Sequence, residues 1–198
     1  MYSETDAIIL AQLARYLFIN EEIDLNYLSS IIGDTVINSN YVSNINTNTD
    51  VLLLETVKNY YIIFNSKELK DWMYNYYFLR FNLNKSTLFG NSKIHSGFYS
   101  QFMSVETDIL EFIQNHNKFI YCTGYSIGGA IAVLCSYFIN INNSSNSMNK
   151  VVYSYNAPTI GNKYFTNSYI NNIEHYNFVK GVDSINNKII KQYKELGI

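Results

Sequence analysis

Residues 118–122 form a short, mostly apolar run and residues 130–139 a segment that is apolar all round, and between them stands Gly124-Tyr125-Ser126-Ile127-Gly128-Gly129. A chain that passes from strand to helix in so few residues must bend sharply. The residue at the bend is forced into a strained backbone conformation, and its side chain is lifted above the sheet. Glycines two before and two after are what such a bend needs, because a side chain at Gly124 or Gly128 would strike the neighbouring strand or helix. A helix starting there aims its free N–H groups and the positive end of its dipole at the Ser126 hydroxyl. Ser126 is therefore the candidate nucleophile, and the bend is expected on a strand of an α/β sheet.

The rest of the chain fits that expectation. Residues 3–20 carry apolar side chains at positions 8, 9, 10, 13, 14, 17 and 18, a helical period, with Ser3 as N-cap. A polar, Asn-rich stretch over 38–50 is expected to connect to strands at 51–54 and 60–64. Residues 66–80 are aromatic and mixed, helical at first. Phe98, Phe102, Val105, Ile109, Phe112 and Ile113 predict one amphipathic helix running to about residue 115. Strands are expected at 118–122, 151–155 and 175–179, with helices over 130–139 and 163–170 between them and a loop over 140–149. Alternation of this kind predicts a mostly parallel central sheet with helices on both faces, as one domain over residues 1–198.

Composition narrows the partners. A net charge of −2 without runs of like charge gives no electrostatic basis for binding nucleic acid, and the scattered lysines form no polybasic anchor. Hydrophobic residues at 47% are enough for a packed core. The chain is rich in Asn, Ile, Tyr and Lys and poor in Gly, Pro and Arg, as an A/T-rich genome, viral, protist or low-GC bacterial, would encode it. Cys122 and Cys135 fall in apolar segments and read as buried free thiols. The stretch 7–19 is interrupted by Gln12 and Arg15, so it reads as neither signal peptide nor membrane span, and a soluble protein is expected. The three histidines lack metal-ligand spacing and no phosphate-cradling loop is present, so neither metal nor cofactor is expected.

Four segments together resemble the fungal-type (class 3) triacylglycerol lipases of the α/β-hydrolase superfamily, in that family's order over residues 60–185. Ile62-Ile63-Phe64 followed by Ser66 and Asp71-Trp72 is similar to the family's strand, oxyanion loop and lid start. Ile94-His95-Ser96-Gly97-Phe98 resembles its His-x-Gly-Phe segment. Thr123 to Ala130 is similar to the nucleophile turn, where the family usually has His and Leu at the places of Tyr125 and Ile127. Tyr155-Asn156-Ala157-Pro158-Thr159-Ile160-Gly161-Asn162 resembles the segment ending the next strand.

The resemblance implies a serine carboxylic ester hydrolase acting on a lipid or small ester, with contact to a lipid interface and a triad in the order Ser, Asp, His. Asp183 is the aspartate it implies, holding a histidine in the right tautomer. The oxyanion hole would come from the backbone N–H groups of Ile127 and Ser66. The oxyanion loop departs from the family, with one residue fewer between Phe64 and Ser66. Residues 66–77 read either as an amphipathic lid or as a core helix. No histidine follows Asp183. His175 opens the strand leading to it and should sit roughly 13–17 Å away along that strand; His116 ends a helix; His95 matches a structural position of the family. Three readings stay open: the C-terminal part of the domain is missing and carries the histidine, a partner chain supplies it, or the chain is a catalytically inactive lipid-binding or protein-interaction module on the same scaffold.

Overall fold

The computed structural model describes residues 2–20, 22–66, 92–114, 117–142 and 149–179. In chain order these form α1 (Glu4–Ile19), α2 (Leu25–Ile32), β1 (Asn38–Asn44), β2 (Thr49–Glu55), β3 (Asn59–Ser66), α3 (Ser96–Met103), α4 (Glu106–Phe112), β4 (Phe119–Tyr125), α5 (Ile127–Asn142), β5 (Lys150–Tyr155), α6 (Lys163–Ile170) and β6 (Glu174–Phe178). The strands make one sheet in the order β1-β2-β3-β4-β5-β6. Its first two pairings are antiparallel and the remaining three parallel.

A strictly sequential strand order has a consequence for how the sheet is covered. Right-handed crossovers that always step in the same direction put every connecting helix on the same face. Accordingly Phe98 and Phe102 of α3, Ile109 of α4, Ala130 to Ile139 of α5 and Phe165 and Tyr169 of α6 share one core with Val51, Leu53, Ile62, Phe64, Ile120, Cys122 and Val152. The opposite face is left for the N-terminal helices. Leu10, Leu13 and Leu17 of α1 and Leu28 and Ile32 of α2 close it over Leu52, Leu54, Ile63, Val151 and Tyr153. Alternate residues of β2, β3 and β5 thus feed two cores, which is why these strands read as unbroken apolar runs. Helices lie on both faces as predicted.

Ser3 caps α1 as expected, its side chain accepting from the Asp6 N–H. Two elements exceed what periodicity indicated. β1 lies in the Asn-rich stretch predicted to be a connection. Its side chains are exposed or half-exposed, and it exists because its backbone pairs with β2 from Asn38↔Glu55 to Asn44↔Thr49. α2 is short but carries both end signals, Asp24 accepting from the N–H groups of Asn26 and Tyr27 and Gly33 closing it at φ +72°. The single helix predicted to run to residue 115 is broken. The Ser104 hydroxyl donates to the Gln101 carbonyl, and the Val105 N–H turns back to Phe102. A serine that bonds its own preceding turn competes with continuation of the helix. Cys122 and Cys135 are buried free thiols, as read, and burial pushes the Cys135 thiol well up.

Candidate active site

β4 and α5 meet at Ser126, a non-glycine residue at φ +52°. The bend is fixed on both sides by backbone. The Ser126 N–H donates to the Tyr155 carbonyl at 2.8 Å, and its own carbonyl accepts from Ala130 at 3.2 Å, the first turn of α5. Ser126 is thereby held at the carboxyl edge of the sheet with its side chain partly exposed. The left-handed conformation is costly for a side chain with Cβ and persists because its surroundings over-determine it.

The glycines show how. A Cβ on Gly124 would lie 2.8 Å from the Gly129 nitrogen and closer still to the Gly128 carbonyl group. A Cβ on Gly128 would run into the carbonyl of Phe64, with the Phe64 carbon at 3.0 Å. On Gly129 it would meet the Ala157 Cβ at 2.9 Å. The bend is therefore pressed backbone to backbone against the end of β3, and against the Cβ atoms of Ser154 and Ala157 on the β5 side.

Ile127, the first residue of α5, is buried, and its N–H belongs to the unpaired first turn of that helix. Ser66 ends β3. Parallel pairing with β4 stops at Phe64↔Gly124, so Ser66 reaches two residues further, to the level of Ser126. Its backbone is paired on the other side with Thr49 of β2, and its hydroxyl accepts from Gln101 Nε2 at 3.0 Å. Asp183, His116 and the segment from Asp71 and Trp72 to Tyr77 lie outside the described residues.

His175 pairs in register with Val152, three residues back from the end of β6. Through Val152 it stands level with Cys122, so two strand spacings and four residues separate it from Ser126, roughly 16 Å. Its Nε2 is 2.8 Å from Ser154 Oγ, and the Ser154 hydroxyl donates to Asn177 Oδ1 at 2.8 Å. That carboxamide oxygen can only accept, so the single serine proton points to it and His175 Nε2 must carry a hydrogen to donate. Burial pushes the imidazole down to about 3. Asn177 completes the unit by accepting from the Ala157 N–H and donating to the Ala157 carbonyl. His175 is thus a neutral structural donor, as its distance from the candidate nucleophile predicts. Nothing in the spacing of Ser154, His175 and Asn177 announced this unit. His95 stacks on Phe98 with ring centroids 4.3 Å apart, its backbone N–H donates to the Ile160 carbonyl, and burial lowers its imidazole. A hollow of about 360 Å³ lined by Asn38, Glu55, Tyr60 and Glu111 opens at the amino end of the strands, away from Ser126.

The fold has known counterparts. Lipase II from Rhizopus niveus superposes with a TM-score of 0.73 at 19% identity, covering 91% of this chain and 72% of that one. The Rhizomucor miehei lipase in its propeptide complex gives 0.70 at 19% identity, over 91% of this chain and 60% of that. A triacylglycerol lipase whose catalytic centre is described as a serine protease triad gives 0.68 at 21%, over 92% and 72%. At these identities the likeness is one of fold. In sequence, 98 residues are 34% identical to Toxin TseL of Vibrio cholerae serotype O1, which is 49% of this chain but only 15% of that protein. The signature of the class 3 lipases matches residues 61–190. With the sheet, the bend at Ser126 and a family match over most of its length, this chain belongs to the class 3 lipase family, on an α/β-hydrolase-type fold.

Proposed function

We propose that the chain is the nucleophile-bearing part of a serine carboxylic ester hydrolase acting on a lipid or small ester. Ser126 Oγ attacks the ester carbonyl carbon. The carbonyl oxygen gathers negative charge between the N–H groups of Ile127 and Ser66, each such donor being worth roughly 3 kcal/mol in the transition state. Asp183 orients the histidine that takes the serine proton and returns it to the leaving alkoxide. The observation that carries this reading is Ser126 itself, kept in a left-handed conformation at the start of a helix. No structural requirement of the turn favours serine there.

A serine without a base is a weak nucleophile, and loss of the histidine alone costs about a millionfold in turnover. His175 is committed to Ser154 and is not that base. The base in this reading is a histidine from outside the described residues. The sequestration of His175 favours a second reading, a lipase-derived lipid-binding or protein-interaction module without turnover. Among the described residues no helix is long and apolar enough to cross a membrane; the lipid contact in this reading is at an interface.

A fluorophosphonate probe followed by intact-mass analysis separates the two. Stoichiometric label on the native chain that vanishes in Ser126→Ala, with hydrolysis of a nitrophenyl butyrate ester, supports the hydrolase. No label and no hydrolysis, with or without added imidazole, overturns it in favour of the binding module.

A further inference from the structure

Among the described residues, Gln101 is a buried polar side chain to which the hydrolase reading gives no task. Gln101 of α3 is 1% exposed, three residues on from Phe98 and inside an otherwise apolar stripe. Burying a carboxamide is costly unless its N–H groups find acceptors. Both do. Nε2 donates to Ser66 Oγ at 3.0 Å and to the Thr47 carbonyl at 3.0 Å. Thr47 belongs to the turn joining β1 to β2, and that turn is itself tied to the end of α3. The Thr47 hydroxyl lies 2.8 Å from Ser104 Oγ, Asn44 Nδ2 donates to the Ser104 carbonyl, and Ser104 Oγ donates to the Gln101 carbonyl. The amide is thus a fixed bridge from a braced turn to Ser66.

Ser66 has reason to need a bridge. β3 is flanked on both sides only as far as Phe64, where its pairing with β4 ends one residue before that strand gives way to the bend. Beyond that point its backbone is paired with β2 alone, through Asp50↔Asn65 and Thr49↔Ser66. An oxyanion donor must be held within about 0.5 Å of its working position, and a strand end paired on one edge does not ensure that. The side-chain hydrogen bond from Gln101 supplies a second constraint on the same residue.

We propose that Gln101 is a positioning residue for Ser66: by holding the Ser66 hydroxyl against the β1–β2 turn it sets the backbone N–H that receives the oxyanion. The inference rests on the hydrolase reading for its catalytic part and on geometry alone for the hold. Gln101→Met keeps the volume and removes both N–H groups, while Ser66→Ala breaks the same bond from its other end without touching the α3 core. Each is expected to slow fluorophosphonate labelling of Ser126 about tenfold at saturating probe, with half-saturation changed less than twofold. The double variant is expected to be no slower than either single one, because both remove one interaction. Labelling at the native rate in both single variants, or effects that multiply, would overturn the proposal. Peptide-level deuterium uptake separates the hold from the chemistry. It should rise at residues 47–49 and 64–66 in Gln101→Met, and unchanged uptake there defeats the hold. A native chain that takes no label overturns the hydrolase reading and the oxyanion role of Ser66, leaving the hold to be decided by uptake.

Discussion

β4 and β5 lie side by side, point the same way and end alike. The residue after each strand donates its N–H to the carbonyl that ends the next, Ser126 to Tyr155 and Asn156 to Phe178, both at 2.8 Å. Each then turns left-handed, at φ +52° and +53°. The occupants differ. Asn is among the few non-glycine residues that enter this conformation readily, because its short amide can bond locally; Ser is not. The surroundings differ too. After Ser126 the chain enters a helix at once, and the bend is clamped by backbone against backbone at Gly124 and Gly128. After Asn156 it continues to Lys163 before a helix begins, and is clamped by side chains, with Asn177 gripping both backbone groups of Ala157. One geometry is thus met with the readily accommodated residue at 156 and with a strained serine at 126, where the proposed chemistry calls for a hydroxyl.

That contrast can be broken or sharpened by measurement. The largest effect is expected at the backbone clamp: Gly128→Ala should cost about 4 kcal/mol or more, or prevent folding, since the new methyl has only the Phe64 carbonyl to displace. A denaturation midpoint close to native would mean that the bend is held by something else. Next is pH, which should act on the side-chain clamp through His175 and, outside it, on His95, whose imidazole burial also lowers. His175 is held down to about 3 by burial, whereas unfolded it takes its ordinary value of 6.5. Between those values the unfolded chain binds the extra proton. Stability should therefore be full above 6.5 and fall on the order of 1.4 kcal/mol per pH unit below about 6. The same acid titration of His175→Gln should lack that component; identical slopes would show that the imidazole is not sequestered. Smaller still, Ser126→Gly should raise stability by about 1 kcal/mol in urea while abolishing label, relief of strain outweighing added chain entropy. Smallest of the four, Asn156→Ala should cost about 1 kcal/mol, mostly through the left-handed backbone, and leave labelling nearly native. Equal and opposite outcomes at 126 and 156 would confirm the comparison; a Ser126→Gly that destabilises would undo it.

Much of the fold was legible because it is dictated locally. Steric limits at a strand-to-helix bend allow few residue types, so positions 124, 126 and 128 could be read directly. Two-faced burial makes apolar runs of β2, β3 and β5. The Ser3 cap is written next to the helix it starts. β1 was not legible, since a polar edge strand exists by pairing to β2 and carries no pattern of its own. Neither was the break at Ser104, where one hydroxyl tips a helix that periodicity would continue.

What the sequence alone determined is the bend, its candidate serine and the alternation that builds the sheet, because each depends on neighbours a few residues apart. Tertiary structure decided which face α1 and α2 cover, that His175 serves Ser154 rather than Ser126, and that Gln101 meets Ser66 across 35 residues. Those outcomes rest on hydrogen bonds and packing between segments distant along the chain. Such bonds take effect only once the sheet has brought the partners together and water has been excluded.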